Sequence, residues 1–280
     1  MDKFNMSTNV HHYGIQNVNQ SVDIIDLHIE EISHQGFSIV DGGFSDEEIT
    51  LYSQKLDSVY ELQKKEVGGE QNLTIINDEN VVRCPLAYDD VFLKLAIHPS
   101  VVEICERILG NNIVLLMQNG VINNPDKEHY QTKWHRDLNY QHWVSSRPLA
   151  ISALLCMDTF SHATGGTRVL PGSHLKEKFP TDEYVRKHEK IIEAPAGSIL
   201  VMDSMLFHCA GRNVSSSVRR GLNHVIGVPI LSQQISIPHM LQGKYEDDSF
   251  LEKYLGYRWQ PKSSVKEWRL ERLGGINGNA

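Results

Sequence analysis

Cysteine is scarce in this sequence and forms no recognisable motif. The 280 residues contain four cysteines, Cys84, Cys105, Cys156 and Cys209, and no Cys-x-x-Cys pair. Four widely spaced cysteines do not make the disulfide framework of a small secreted protein, which favours a reducing compartment. Residues 1–20 also lack the apolar core of a signal peptide. From these absences we expect a cytoplasmic protein.

Long apolar runs and an excess of positive charge are absent as well. The longest apolar-looking run, residues 149–157, is too short to span a bilayer, so we expect no membrane partner. The chain has 27 basic and 35 acidic residues, a formal charge of −8, and its longest basic runs are pairs. Proteins that bind nucleic acid normally present a basic surface, so a nucleic-acid partner is disfavoured. A small-molecule substrate is the remaining expectation, and the oligomeric state stays open.

What the sequence does contain is a helical part followed by a strand-rich part. Ser45 and Glu48 form a capping box that opens one predicted helix, and segments rich in Val, Ile and Leu predict strands after residue 112. The predicted elements are a helix at 22–34, a strand at 36–40, a helix at 45–65, a loop at 66–80, helices over 89–109 interrupted near His98-Pro99, and strands at 113–119, 149–158, 198–202 and 222–228.

This order of elements predicts one domain that is mainly β, a double-sheet barrel of the jelly-roll or cupin-like type with a helical flank. Hydrophobic residues make up 40% of the chain, enough for one sizeable core. We expect a loose segment at 1–20, a mainly helical flank at 21–112, a jelly-roll core at 113–230, and a C-terminal helix or lid at 231–280.

The strand-rich part contains Trp134-His135-Arg136-Asp137, and His208 and Arg219 follow it. Strand side chains alternate between faces, so His135 and Asp137 can point at one centre, and His208 can complete it from a neighbouring strand. Two imidazoles and one carboxylate on one face of an octahedron are the ligands of non-haem Fe(II) in oxygen chemistry. The sequence therefore predicts a metal site, in which His135, Asp137 and His208 are both the ligands and the catalytic residues.

Other histidines and a second arginine compete for these roles. His174 follows a Pro-Gly turn and is expected to be structural, and His224 is out of phase with Arg219 on the same predicted strand. Arg219 or the adjacent Arg220 could bind a carboxylate through two parallel hydrogen bonds, and the pattern alone leaves both open. We exclude from the metal site five histidines in all, namely His142, His162, His174, His224 and His239.

Taken together, these residues resemble the phytanoyl-CoA dioxygenase family of Fe(II)/2-oxoglutarate-dependent oxygenases. The resemblance extends over about residues 30–230 and includes the His208 to Arg219 spacing. The other motifs that carry it are Trp134-His135-x-Asp137, Gly166 followed by Leu170-Pro171-Gly172-Ser173-His174, Asn80-Val81-Val82-Arg83 with Pro85, and His98-Pro99 before a helix that ends at Leu109-Gly110.

The resemblance implies a double-stranded β-helix that binds Fe(II), 2-oxoglutarate as co-substrate, and O2. It implies that Arg219 binds the far carboxylate of 2-oxoglutarate, and that Gln118 and Asn213 contribute polar contacts to the same pocket. One departure is Ala210, where relatives often carry a serine. Asp137 occupies the position at which halogenating relatives have a small residue, so hydroxylation is expected.

The expected reaction is the hydroxylation, or another oxidation, of an unactivated C–H bond in a small molecule, with release of succinate and CO2. Two alternatives remain: a cupin-like metalloenzyme that does not use 2-oxoglutarate, and a non-catalytic ligand-binding member of the fold. Arg83, Leu138, Asn139 and Tyr140 are candidate substrate-facing residues. The sequence does not select the substrate.

Overall fold

The computed structural model describes residues 10–20, 22–125, 130–139 and 141–277. In this part of the chain the helices are α1 (Ile24–Gln35), α2 (Asp46–Glu66), α3 (Glu70–Ile75), α4 (Val91–Ala96), α5 (Pro99–Leu109), α6 (Asp182–His188), α7 (Ile237–Leu241), α8 (Ser249–Tyr254) and α9 (Val265–Asn277). The strands are β1 (Phe37–Asp41), β2 (Val81–Arg83), β3 (Val114–Asn123), β4 (Ala150–Cys156), β5 (Arg168–Val169), β6 (Lys190–Ile191), β7 (Ser198–Asp203), β8 (His208–Cys209) and β9 (Arg219–Gly227).

The strands form two antiparallel sheets. The larger sheet has the order β1-β7-β4-β9-β3-β2, and the smaller one has the order β6-β5-β8. All seven residues of β4 are buried, because this strand lies inside the larger sheet and is covered on both faces. The mainly β architecture expected from the sequence is confirmed, and its two sheets have the arrangement of a jelly roll.

Helices α1 to α5 cover the outer face of the larger sheet. Ser45 accepts a hydrogen bond from the Glu48 N–H at 3.2 Å, and the Glu48 carboxylate accepts one from the Ser45 N–H at 3.1 Å, so the capping box that opens α2 is present. Apolar side chains of these helices, including Leu56 and Phe92, are fully buried in the main core with strand residues. Burying them between helices and sheet provides most of the driving force that holds the flank in place.

Some elements differ from the sequence predictions. The strand expected at 36–40 is present as β1, but the flank at 21–112 also supplies β2, which was not predicted, and residues 66–80 contain α3 rather than a continuous loop. Strand β9 begins at Arg219 rather than at residue 222, because its polar first residues pair with the end of β3. Local apolar patterns miss such strand ends, since long-range pairing and not hydrophobicity stabilises them.

The C-terminal part packs on the barrel in two ways. Helices α7 and α8 contribute Ile237, Leu241 and Tyr254 to the main core. The segment 230–234, which precedes α7, lines the large cavity of the barrel. The first residues of the segment 231–280, for which a helix or lid is expected, thus lie at the cavity wall. No helix in the described part of the chain is long and apolar enough to cross a membrane.

Candidate metal centre

The motif Trp134-His135-Arg136-Asp137 lies against the strand that carries His208. His135 and His208 exchange two backbone hydrogen bonds of 3.0 and 3.1 Å, which places the two segments side by side in antiparallel fashion. The Asp137 N–H donates to the Ser204 carbonyl at 3.0 Å and extends this pairing. Residues two apart in such an extended segment share a face, so His135 and Asp137 point to the same side as His208.

Arg136, between the two candidate ligands, points to the opposite side and is buried. Its guanidinium donates to the Met205 carbonyl at 2.8 Å and lies 3.8 Å from the centre of the Phe207 ring. It also donates to backbone carbonyls in the turn that follows β5, those of Ser173, Lys176 and Glu177. Arg136 therefore fixes the metal motif to two neighbouring loops.

The side chains of His135, Asp137 and His208 converge. Their ligand atoms all lie within 4.8 Å of one another, with 3.6 Å between His208 Nε2 and Asp137 Oδ1, and 4.0 Å between His135 Nε2 and Asp137 Oδ1. Each Nδ1 atom faces a backbone carbonyl, at 2.8 Å from Lys133 for His135 and at 3.0 Å from Leu206 for His208. A proton on Nδ1 satisfies that carbonyl and leaves the Nε2 lone pair available to a metal.

The electrostatics of the cluster suit metal binding. Burial, followed by the neighbouring His208, lowers the pKa of His135 to about 4, so this imidazole is neutral at physiological pH. Burial alone would raise the pKa of Asp137, but His208, His135 and hydrogen bonds from Ser152 and Asn223 outweigh it, and the pKa lies below its ordinary value. A neutral imidazole and an ionised carboxylate are the protonation states that ligate metals.

Asp137 is oriented by two polar side chains. Its Oδ2 atom accepts a hydrogen bond from Ser152 Oγ at 2.5 Å and another from Asn223 Nδ2 at 3.0 Å. Ser152 is held in turn by Ser204 Oγ at 2.8 Å. With Oδ2 engaged by two donors, Oδ1 is the carboxylate atom left facing the two imidazoles.

Arg219 lies at the start of β9 and is 2% exposed. Its Nη2 donates to the Gly165 carbonyl at 2.9 Å, its guanidinium lies 4.4 Å from the Phe160 ring centre, and its Nε has no hydrogen-bond partner. Burial lowers the pKa of Arg219 to about 10. Within the described residues no carboxylate forms an ion pair with it. A buried cation without an anion is costly, so a carboxylate-bearing ligand is its expected partner.

Arg220, the neighbour that competed with Arg219, points to the outer face of the sheet. It forms ion pairs with Asp57 at 2.8 Å and with Asp158 at 3.1 Å. Gly165, which accepts the hydrogen bond of Arg219, has a positive φ of 74°, and a Cβ there would lie 2.4 Å from the Gly211 carbonyl. The glycine turn before β5 therefore supports the position of Arg219.

Two residues expected to contact 2-oxoglutarate do not line the cavity. Gln118 lies on the outer face of β3, where it accepts from the Leu86 N–H at 2.8 Å and donates to the Phe92 carbonyl and to His224, both at 3.0 Å. Asn213 is fully buried in the loop before β9, where it donates to the Asn123 and Ser217 carbonyls. The assignment of these two amides to the co-substrate pocket is corrected. Both bind other parts of the protein.

One cavity of about 1100 Å³ contains the three converging residues and Arg219. Three of the substrate-facing candidates, Arg83, Leu138 and Asn139, also line it, whereas Tyr140 lies outside the described residues. Ala210 lines it too, and the side chain there has no hydroxyl to offer. The cavity thus joins the candidate metal site, the unpaired arginine and room for a substrate.

Sequence reasoning missed two polar residues of this site, Ser152 and Asn223, and of the adjacent amides Gln118 and Asn119, both of which could orient a ligand, it assigned Gln118 to the pocket. Asn119 and Asn223 line the cavity, and Ser152 contacts Asp137. The alternation of strand side chains could have found Asn223, because it is four residues from Arg219 and hence on the same face. Ser152 gave no signal, since one serine in an apolar strand does not indicate which face it occupies.

The competing histidines stay away from the metal cluster. His174 is buried, with Nε2 3.3 Å from the Ser33 carbonyl, and His224 is buried on the outer face beside Gln118. The remaining three, His142, His162 and His239, are exposed. Among the residues that the structure describes, His135, Asp137 and His208 form the one group of three or more such side chains with metal-ligand spacing.

Similar sequences include an uncharacterized protein and a dioxygenase. The chain is 29% identical over 207 residues to the uncharacterized protein Rv1501 of Mycobacterium tuberculosis, which covers 71% of this chain and 74% of that protein. It is 30% identical over 181 residues to the dioxygenase andF of Emericella variicolor, covering 61% of this chain and 63% of the relative.

Solved structures share the fold. The structure of HygX from Streptomyces hygroscopicus with nickel and 2-oxoglutarate bound is 16% identical, with a TM-score of 0.58 over 76% of this chain and 90% of HygX. The epimerase SnoN in complex with Fe³⁺, α-ketoglutarate and nogalamycin RO is also 16% identical, with a TM-score of 0.55 over 73% of this chain and 84% of SnoN. At this identity the likeness concerns the fold, and the double-stranded β-helix expected from the sequence is confirmed.

The family comparison covers most of the chain. The model of the phytanoyl-CoA dioxygenase family matches residues 32–221, a range that includes β1 to β8, the three converging residues and the first residues of β9. The family resemblance inferred from the motifs is therefore confirmed, and this chain belongs to the phytanoyl-CoA dioxygenase family.

Proposed function

We propose that this protein is an Fe(II)/2-oxoglutarate-dependent dioxygenase that hydroxylates an unactivated C–H bond of a small molecule. The observation that carries the proposal is the shared cavity: Arg219, buried with no carboxylate partner among the residues that the structure describes, opens into the same space as His135, Asp137 and His208. A metalloenzyme that does not use 2-oxoglutarate has no need of that arginine.

The donor set fits iron. In this proposal His135 and His208 would hold the metal through their Nε2 atoms and Asp137 would hold it through Oδ1, because the other ring nitrogens and Oδ2 already have hydrogen-bond partners. Two histidines and one carboxylate are the donor set typical of non-haem Fe(II) oxygenases. Asp137 occupies a ligand position that a halogenase leaves to chloride, which favours hydroxylation.

The arginine fits the co-substrate. Arg219 presents an unpartnered Nε beside an Nη2 that already donates to a backbone carbonyl, and a carboxylate of 2-oxoglutarate supplies the missing charge. When bound, iron and 2-oxoglutarate supply the oxidising power that transfers one oxygen atom of O2 to a C–H bond, with release of succinate and CO2.

The remaining contributions come from the protein itself. Leu154 and Met202 line the cavity together with the candidate ligands, and both are buried. Apolar walls keep bulk water away from the reacting centre and strengthen the interaction of Arg219 with its carboxylate. Ser152 and Asn223 keep Asp137 ionised and oriented.

The test is a turnover assay with purified protein, Fe(II), 2-oxoglutarate and O2. We expect release of succinate and CO2 that is abolished by a metal chelator and by His135→Ala, whereas His162→Ala, a change at an exposed histidine, leaves it intact. Metal-dependent conversion of a candidate substrate without 2-oxoglutarate would establish the cupin-like alternative. Normal binding of metal and 2-oxoglutarate without any succinate release, with or without candidate substrates, would instead favour a non-catalytic ligand-binding protein.

The cellular compartment, the type of substrate and the domain organisation belong to the same proposal. All four cysteines are buried and unlinked, which supports a reducing cytoplasm, and the acidic net charge supports a small-molecule rather than a nucleic-acid substrate. We also propose that the helical flank and the barrel form one domain, because one core cluster contains side chains of both. A single cooperative unfolding transition and cytoplasmic fluorescence of a tagged chain test these points.

A further inference from the structure

A row of polar side chains crosses the cavity face of the larger sheet. Arg83 on β2 pairs with Asn119 on β3, Asn119 pairs with Asn223 on β9, and Asn223 pairs with Leu154 on β4. Directly paired residues of antiparallel strands share a face, and all four of these residues line the cavity. Because Asn223 donates to Asp137, the row leads across the sheet to the candidate metal ligand.

The carboxamide of Asn119 lies among polar neighbours at the cavity wall. Its nitrogen faces the Gln118 carbonyl at 2.8 Å, its oxygen faces Arg83 Nη1 at 2.9 Å, and the Gln234 carboxamide lies 3.0 Å away. A primary amide has two N–H donors and two acceptor lone pairs, so the amides of Asn119 and Gln234 can hydrogen-bond a bound molecule as well as these neighbours. Gln234 comes from the segment that covers the cavity, where its backbone N–H donates to the Leu116 carbonyl at 3.1 Å.

Apolar side chains flank the polar row on both sides. On β3, Met117 lies two residues before Asn119 and Val121 lies two residues after it. Met117 pairs with Val225, and both Met117 and Val121 line the cavity. Positions two apart on a strand are about 7 Å from one another, so apolar side chains begin about 7 Å from the polar row on either side. Leu138 and Leu231 pack on the Met117 side and extend that surface away from the sheet.

The charges in the cavity exclude several kinds of substrate. Asp137 is the single carboxylate among the described lining residues, so no described anion is available for a cationic substrate beyond the metal site. Arg83 is neutralised by Asp78, which accepts from its Nε at 3.1 Å. Exposed Lys133 remains at the wall, and one lysine does not make the basic cluster that a polyphosphate needs.

We propose that the substrate is a bulky, uncharged, mostly hydrocarbon molecule whose hydroxyl or carbonyl oxygens are recognised by Asn119 and Gln234. This inference rests on the proposed function, since it concerns the substrate of the same site. The cavity of about 1100 Å³, which also includes the positions proposed for metal and 2-oxoglutarate, lies at the upper end of ordinary ligand pockets, which reach about 1000 Å³. Neutral amides bind such oxygens without charge, and the flanking rows bury the hydrocarbon.

The test compares probes of similar bulk and different charge. The chain loaded with Mn(II) and 2-oxoglutarate is titrated calorimetrically, without oxygen, with progesterone, an uncharged macrocyclic lactone, an aminosteroid that carries one ammonium group, and palmitoyl-coenzyme A. We expect at least one uncharged probe to bind ten times more tightly than both charged probes. Equal or tighter binding of a charged probe, or no binding of either uncharged probe, would overturn the proposal.

Variants of Asn119 locate the recognition. Asn119→Leu should weaken binding of the uncharged probe about fivefold, the effect of one neutral hydrogen bond, whereas Gln54→Leu, at an exposed carboxamide on α2, should not. Asn119→Asp adds the missing anion and should shift preference towards the aminosteroid. Unchanged affinity in Asn119→Leu together with unchanged preference in Asn119→Asp would rule out the role of Asn119.

Failure of this inference and failure of the proposed function give different results. If Mn(II) and 2-oxoglutarate do not bind in the first step, the function proposed for the site is wrong. If both bind and the probe preference is reversed, the oxygenase assignment stands and the substrate class is wrong.

Discussion

The two faces of strand β9 differ in how completely their polar groups are satisfied. On the outer face, Arg220 forms ion pairs with Asp57 and Asp158, and His224 has a partner at each ring nitrogen. On the cavity face, Arg219 Nε and Asn223 Oδ1 are buried without partners. Both faces belong to the same nine residues, so the difference arises from what each face is packed against.

This contrast distinguishes the polar groups that stabilise the fold from those that are available to ligands. Native proteins pair nearly all their buried polar groups, and those left unpaired call for an explanation such as a ligand. The outer face contributes to the free energy of folding through its closed network around Gln118. The cavity face gives up part of that stabilisation and keeps donors, acceptors and lone pairs available for metal, co-substrate and substrate.

The largest expected effect is that of Asp137→Ala on the cavity face. Removing the single carboxylate of the ligand set should lower succinate release by about 10³-fold or more, because the metal can no longer be held for catalysis. The fold should persist, since its cores lie elsewhere. Circular dichroism and a 2-oxoglutarate turnover assay measure both properties. Retained activity would remove Asp137 from the metal site.

The adjacent arginines give a matched pair for the comparison of faces. Arg219→Ala should raise the KM for 2-oxoglutarate about 100-fold, the worth of a charge-assisted bidentate contact. Arg220→Ala should leave this KM unchanged and lower the free energy of unfolding by about 1 kcal/mol, since its ion pairs are partly exposed. The reverse pattern would exchange the roles of the two residues. Steady-state kinetics and urea unfolding provide the readouts.

Gln118→Leu tests how much the outer face contributes to the stability of the fold. It leaves the Leu86 N–H, the Phe92 carbonyl and His224 without their partner, and should lower the free energy of unfolding by roughly 3 kcal/mol. Asn119→Leu, one residue away on the cavity face, should change it by less than about 1 kcal/mol. Chemical denaturation measures both variants, and equal destabilisation would contradict the division between the faces.

The outer face should also make stability depend on pH. Burial lowers the pKa of His224 to about 4 from its ordinary value of 6.5, so between these values the unfolded chain binds a proton that the folded chain does not. Stability is therefore lost as the pH falls below 6.5, by about 2 kcal/mol at pH 5. His224→Gln removes this contribution. The difference between wild-type and variant unfolding curves at pH 7.5 and pH 5 isolates it, and parallel curves would refute it.

The smallest effect concerns the residues that orient Asp137. Ser152→Ala should weaken metal binding about tenfold, as changes around metal ligands typically do, and Asn223→Ala should act in the same direction. Asn119→Ala, a change in the same polar row without contact to Asp137, should leave metal affinity unchanged. Mn(II) titration measures the metal affinity of all three variants. Equal affinities would show that metal binding does not need fixed hydrogen-bond donors at Asp137 Oδ2.

Much of the fold and the centre of the site could be predicted from local patterns. The capping box at Ser45 marked the start of α2, and runs of Val, Ile and Leu marked the central strands. The outer position of His224 relative to Arg219 followed from counting residues along one strand, because alternation is a property of the strand itself. Residues 66–80 carried no clear pattern, and the six-residue helix α3 there was missed.

Other assignments depended on contacts between distant segments. Gln118 and Asn119 are adjacent amides at the end of an apolar run, and the sequence offered no means of choosing the one that faces the cavity. The register in which β3 pairs with β9 and β2 places Asn119 on the cavity face and Gln118 on the outer face. A shift of that register by one residue would exchange their positions. Asn213 was assigned to the pocket by resemblance, but the loop before β9 uses its amide to hold its own backbone.

The sequence by itself determined the family of this protein, the residue types of the candidate metal ligands, and the spacing of His135 and Asp137. These features are local, because side-chain chemistry and strand alternation do not depend on the rest of the chain. The tertiary structure alone decided that His208 lies beside His135, that Arg219 is buried with no carboxylate partner in the described part of the chain while Arg220 is paired, and that Asn119 and Asn223 form one row. Those outcomes depend on which strands pair and which face the helices cover, a choice made by the free energy of packing the whole domain.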